Sequence, residues 1–96
     1  MEELTITPNS TFQRNDADFL FTEVDDETVL MNIHDSGYIG LNDIATVIWK
    51  MLTSQKSLTS LVEDLVQLYE VEKEQCEKEV SIALKRMVRM KVLQLV

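Results

Sequence analysis

Few residues in this chain have the type and spacing to do chemistry. His34-Asp35-Ser36 brings together the three side-chain types of a hydrolytic triad. A working triad is drawn from separated positions, so that the base reaches the nucleophile with one nitrogen and its orienting carboxylate with the other. Adjacent residues followed by Gly37 cannot place a base on both neighbours, and the segment reads as an exposed polar turn. Cys76 is the single cysteine. A reactive thiolate needs an electropositive setting, whereas Glu72, Glu77 and Glu79 lie near this one in sequence. Cys76 also shares helical spacing with Val80, Ala83, Leu84 and Met87, the pattern of a packed core thiol.

The acidic run from Glu72 to Glu79 is interleaved with Lys73 and Lys78 and reads as a solvated helix face. One His and one Cys fall short of the about four ligands of a structural zinc site. Asp35-Ser36 is similar to the attachment site of acyl carrier proteins. There the serine opens a helix, and here Gly37 and a strand-like run follow. No Gly-rich phosphate loop, HExxH or paired-Cys motif is present. The expectation is a chain with no catalytic residue, no metal and no cofactor.

The elements that would position a site can be read in order. The 96 residues suffice for one domain. Residues 1–18 hold the single proline, Pro8, show no sustained period and read as a loose arm pinned by Phe12. Residues 19–96 read as the domain. Phe19 to Val24 and Thr28 to Ile33 are strand-like, with Asp25-Asp26-Glu27 turning between them. His34 to Gly37 turns again, with Gly37 available for a positive φ, and Tyr38-Ile39-Gly40-Leu41 is a short third strand. Asn42 then caps a helix through Leu52. A second helix starts near Thr59 or Ser60, with Ser60 and Glu63 at capping-box spacing and an apolar stripe reaching Leu68 and Tyr69. A third runs from about Lys73 to Lys91, acidic at its start and basic at its end, as the helix dipole favours. Val92 to Val96 is an apolar tail that covers the sheet or adds a strand. The class is α+β: a three-stranded antiparallel N-terminal sheet followed by three helices.

Charge and hydropathy exclude other classes. The net charge of −8 opposes nucleic-acid binding, which needs a basic face. No apolar run approaches the ~18 to 20 residues of a membrane span. Met1-Glu2-Glu3-Leu4 lacks the features of a signal peptide, which makes the cytoplasm the expected location.

Two features remain. The third strand ends a meander and lies at a sheet edge with no Lys or Pro to protect it. Such an edge is either closed off by its own shortness or open to β-augmentation by a peptide. On the third helix, Ile82 falls off the core stripe beside Glu79, Arg86 and Arg89. It is either an incidental exposed side chain or the wall of a groove.

Gly37-Tyr38-Ile39-Gly40-Leu41-Asn42, followed by Ile48-Trp49 and Leu52, resembles the PqqD-like family. Leu58-Thr59, Tyr69 and the closing Val92-Leu93 extend the resemblance over about residues 19 to 95. It implies a winged helix-turn-helix-like domain, the RiPP recognition element. Such a domain holds the leader segment of a ribosomally made precursor peptide for a separate enzyme, a leader peptidase or a radical-type modifying enzyme. Among pathways it points toward lasso peptides. By the same resemblance the leader pairs with Tyr38, Ile39, Gly40 and Leu41 and faces Glu79, Ile82 and Arg86, with Ala83 as the floor. Many relatives have Gly where this chain has Lys91. A left-handed lysine costs about 1–2 kcal/mol, so the expectation is a helix that ends differently or runs on. A monomer or weak homodimer is expected. The rival readings are a winged-helix DNA-binding regulator, which the charge opposes, and a small enzyme subunit using Cys76.

Overall fold

The computed structural model describes residues 5–96; Met1 to Leu4, on which the signal-peptide expectation rests, lie outside them. In chain order the elements are β1 (Thr11–Arg14), β2 (Phe19–Val24), β3 (Glu27–Asn32), β4 (Tyr38–Gly40), α1 (Asp43–Met51), β5 (Lys56–Ser57), α2 (Leu58–Tyr69), α3 (Lys73–Arg89) and β6 (Leu93–Leu95).

β2, β3 and β4 form the expected antiparallel meander, in that spatial order. Asp25 and Asp26 both take positive φ, 50° and 69°, so Val24 pairs directly with Glu27. Two left-handed residues in a two-residue loop suit the twist of the flanking strands, and aspartate tolerates that region. At the second turn the positive φ, 61°, falls on Ser36 and not on Gly37. Asn32 causes this. Its side-chain oxygen accepts from the His34 N–H at 2.8 Å, and its carbonyl accepts from the Ser36 N–H at 2.9 Å, so the turn closes one residue early.

The three helices follow. The Asn42 side-chain oxygen accepts from the Ala45 N–H at 2.9 Å and starts α1 as expected. α2 begins earlier than the Ser60–Glu63 spacing predicts, because Ser57 is the cap: its Oγ accepts from the Ser60 N–H at 3.1 Å. Leu68 and Tyr69, read as part of the apolar stripe, stay exposed because nothing covers the last turn of α2. The core is centred on Trp49, Ile48, Leu61, Leu84, Leu30 and Phe12, all fully buried.

The N-terminal segment differs from its expectation. Far from loose, Thr11–Arg14 is the central strand of a second antiparallel sheet, β5-β1-β6. Phe12 pairs with Lys56 on one side and Leu95 on the other, and has no exposed surface. Arg14 donates from Nε and Nη2 to the Trp49 carbonyl at 2.8 and 2.6 Å, capping α1, while its guanidinium lies 4.7 Å from the Trp49 ring centroid. The apolar tail thus adds a strand.

Lys91 also overturns its expectation. α3 ends at Arg89 and Lys91 does take the left-handed conformation, with φ 66°. The Lys91 N–H donates to the Val88 carbonyl at 2.9 Å and the Val92 N–H to the Met87 carbonyl at 3.1 Å. This is a Schellman motif, with Val92 and Met87 buried as its apolar pair. Asn15 clamps it further, donating from Nδ2 to the Lys91 carbonyl at 2.8 Å.

Candidate functional site

Among the described residues β4 lies at the edge of its sheet and has a strand partner on one side only. The Leu41 N–H donates to the Thr28 carbonyl and the Asn32 N–H to the Gly37 carbonyl, both within 2.9 Å. Hydrogen-bonded pairs alternate along an antiparallel ladder. Ile39 opposite Leu30 is therefore the next bonded pair, and its backbone groups face β3. The backbone groups of Tyr38 and Gly40 face outward. Side chains alternate too: Ile39 is half-buried on the core side, while Tyr38, 72% exposed, stands on the outer face.

A cleft of about 610 Å³ opens between the end of this strand and α3. Gly40 and Leu41 form one wall, and Glu79, Ile82, Ala83 and Arg86 the other. The structure thus brings six of the eight predicted residues together; Tyr38 and Ile39 do not line the cleft. Ala83 and Leu41 are buried in its floor, and Ile82 projects at 61% exposure. Sequence reading missed the first turn of α1, Asp43 to Ala45, and Met87 and Met90, which also line it. Ile44 and Met87 carry only a core-stripe signal, which does not separate the half-buried Ile44 from the buried Met87 or either from residues away from the cleft.

The electrostatics of the cleft are polar along α3. Glu79 and Arg86 are both exposed, and neither joins an ion pair among the described residues. Glu79 accepts from Gln75 Nε2 at 3.2 Å. Burial first, and the nearby Glu79 carboxylate second, push the Cys76 thiol above its ordinary range. A thiol held protonated is a poor nucleophile.

The triad-like residues do not converge. His34 Nε2 lies 2.8 Å from Asp18 Oδ1, and Asp35 Oδ1 accepts from the Gly37 N–H at 2.8 Å. Asn15 and then His34, by hydrogen bonding, hold the Asp18 carboxyl below its usual range. Among the described residues no three His, Cys, Asp or Glu side chains are grouped to hold a metal ion. Among them, too, no helix is long and apolar enough to cross a membrane.

A second surface lies behind the strand edge. On the outer face of the sheet, Leu20, Met31 and Tyr38 stand side by side across the three strands, next to Val29. Leu20 is 56% exposed, and Val24 and Ile33 extend the apolar area. Asp25, Asp26 and Glu27 rim it at one turn and Asp35 at the other.

The sequence pattern of the family described as Coenzyme PQQ synthesis protein D (PqqD) matches residues 27–93. The chain belongs to the PqqD family. The match begins with β3 and runs into β6, so both walls of the cleft lie inside it and β1 and β2 do not. The fold is similar to that of the solved structure titled "TbiB1 in Complex with the TbiA(beta) Leader Peptide", with a TM-score of 0.73 and 23% identity. The similarity covers 85% of this chain and 94% of that one. None of the curated proteins compared matches the chain in sequence.

Proposed function

We propose that this PqqD-family chain is a non-catalytic adaptor in the cytoplasm. It binds the leader segment of a ribosomally synthesised precursor peptide and delivers it to a separate processing enzyme. The observation that carries the reading is an apolar cleft running beside a sheet edge whose outward backbone groups have no strand partner among the described residues. An extended peptide satisfies those groups by adding a strand, and the cleft selects its side chains. The fold is shared with a protein solved in complex with a leader peptide.

In this reading Tyr38 and Gly40 supply the outward hydrogen bonds, while Ile39 holds β4 to β3. Leu41 and Ala83 floor the cleft; Ile82 grips apolar side chains; Glu79 and Arg86 read charge. The processing enzyme takes the outer sheet face, which stays accessible while the cleft is filled. A second copy is a poor fit there, because symmetric pairing would face one acidic rim with another. A lasso-peptide pathway, with its separate leader peptidase, suits a recognition domain of this kind. DNA binding is disfavoured by the net charge of −8 and by Glu79 on the exposed face of α3.

The test uses a fluorescently labelled synthetic leader from a precursor encoded beside this chain's gene. Gly40→Pro removes an outward N–H, and edge strands tolerate proline. Leaving a peptide carbonyl unsatisfied costs about 1–3 kcal/mol, so affinity falls at least about fivefold. Gly40→Ala keeps the donor and meets no atom within 4 Å, so it binds as wild type. Equal affinity for the proline variant refutes strand addition here, and tight sequence-specific binding of duplex DNA overturns the adaptor reading.

A further inference from the structure

The cleft beside β4 does not stop at the first turn of α1. A second cleft, of about 520 Å³, opens where α1, the end of α2 and the start of α3 meet. It shares Asp43, Ile44 and Glu79 with the first. Beyond those residues it is almost wholly apolar, walled by Val47, Leu65, Tyr69, Val71 and Val80. Tyr69 and Val71 are 53% and 44% exposed, and neither contributes to the core. Large apolar side chains grouped at the surface mark a binding position more often than an isolated one does.

The two clefts form one furrow. Passing from Gly40 through Asp43 to Val47 on one wall corresponds to passing from Met90 through Glu79 to Cys76 on the other. From Met90 back to Gln75, α3 advances about 22 Å, which an extended chain covers with about seven residues. β4 offers only the three residues Tyr38–Gly40 for pairing. Much of a peptide that fills the furrow therefore lies beyond the strand. The charges are ordered along the way. Arg86 lines the furrow beside Met90 at the strand end, with Lys85 and Arg89 on the adjoining face of α3; Glu79 and Asp43 stand at the junction, and no charged side chain lines the second cleft past them.

We infer that the second cleft is an anchoring subsite for the same peptide that pairs with β4. This rests on the leader-binding reading and adds to it the pattern the peptide must carry. The occupant is an extended segment of about seven residues. It has an acidic residue over Arg86, a basic residue passing Glu79 and Asp43, and a large apolar residue seated between Tyr69, Val71 and Val47. That charge order makes a second copy a worse occupant, since nothing in a surplus of eight negative charges favours its approach to Glu79 and Asp43.

The experiment measures binding of the labelled full leader and of nested truncations from each end. Val71→Asp and Tyr69→Ser are the variants, since both positions lie outside the core. One truncation point is expected to separate a short peptide that still binds from the full leader, which binds about tenfold more tightly. Val71→Asp and Tyr69→Ser abolish that tenfold advantage and leave the short peptide's affinity unchanged. Amide NMR signals of Tyr69 and Val71 shift with the full leader and not with the short one. Unchanged affinity of the full leader in both variants, or equal weakening of both peptides, overturns the subsite while leaving strand addition standing. If no leader binds the wild-type chain, the leader reading falls and the subsite with it.

Discussion

Among the described residues the molecule has two three-stranded antiparallel sheets that differ in what they leave unpaired. The β2-β3-β4 sheet keeps one edge open and exposes much of its outer face. The β5-β1-β6 sheet is a clasp: its central strand carries the fully buried Phe12, and its neighbours come from the α1–α2 connection and the C-terminus. Strand number and pairing sense are the same in both. What differs is where the strands come from and what is left unpaired. The open sheet is made of consecutive hairpins, so its edge can be left free without loosening the chain. The clasp joins distant segments, so removing it would release both ends.

This contrast predicts a separation of stability from binding. The largest effect falls on the clasp. Phe12→Ala empties a fully buried aromatic site, which costs about 3–5 kcal/mol. Urea denaturation should show that loss. Leader affinity measured on the remaining folded protein should stay near wild type. A Phe12→Ala variant that loses less than about 1 kcal/mol would mean that the second sheet is ornamental.

The reverse pattern is expected at the cleft. Ile82→Glu changes a side chain that is 61% exposed, so stability should move by no more than about 0.5 kcal/mol. It places a carboxylate against the apolar part of the bound segment, and leader affinity should fall about tenfold, roughly 1.4 kcal/mol. Calorimetric titration beside a thermal melt reads both. Unfolding in place of weakened binding would assign Ile82 to the core and dissolve the distinction between the two regions.

The two sheets were also unequally legible. Phe19 to Leu41 shows its hairpins because each strand's partner is its neighbour in sequence and Asp25-Asp26 announces the turn. α3 exposes Glu79, Ile82 and Arg86 and buries Ala83, the phase that apolar spacing predicts. β1 could not be read this way. Four residues with one apolar side chain carry no period, and pairing with Lys56 and Leu95 is invisible until the chain is folded. The direction of Ile39 was hidden for a related reason: alternation gives two faces, and only the ladder tells which residue's backbone points outward. The second cleft was masked because Ile44, Val47 and Leu65 have the spacing of core residues whether or not a furrow passes over them.

The smallest expected effect sits where the clasp meets α3. Lys91 holds a left-handed backbone, φ 66°, a conformation that glycine adopts without strain. The conformation survives because two Schellman hydrogen bonds, the buried Val92 and the Asn15 clamp on the Lys91 carbonyl all require it. Lys91→Gly removes a penalty of about 1–2 kcal/mol, part of which is cancelled by about 0.5–1 kcal/mol of extra chain entropy in the unfolded state. The net gain lies between about 0 and 1.5 kcal/mol, and for a domain of this size each 1 kcal/mol moves Tm by about 4–8 °C. Leader affinity should not change, because the backbone path from α3 into β6 is the same with either residue. If Lys91→Gly instead weakens leader binding, the strained turn is setting the shape of the adjoining Met90 wall. Clasp and cleft would then be coupled, and the division between a structural sheet and a binding sheet would have to be given up.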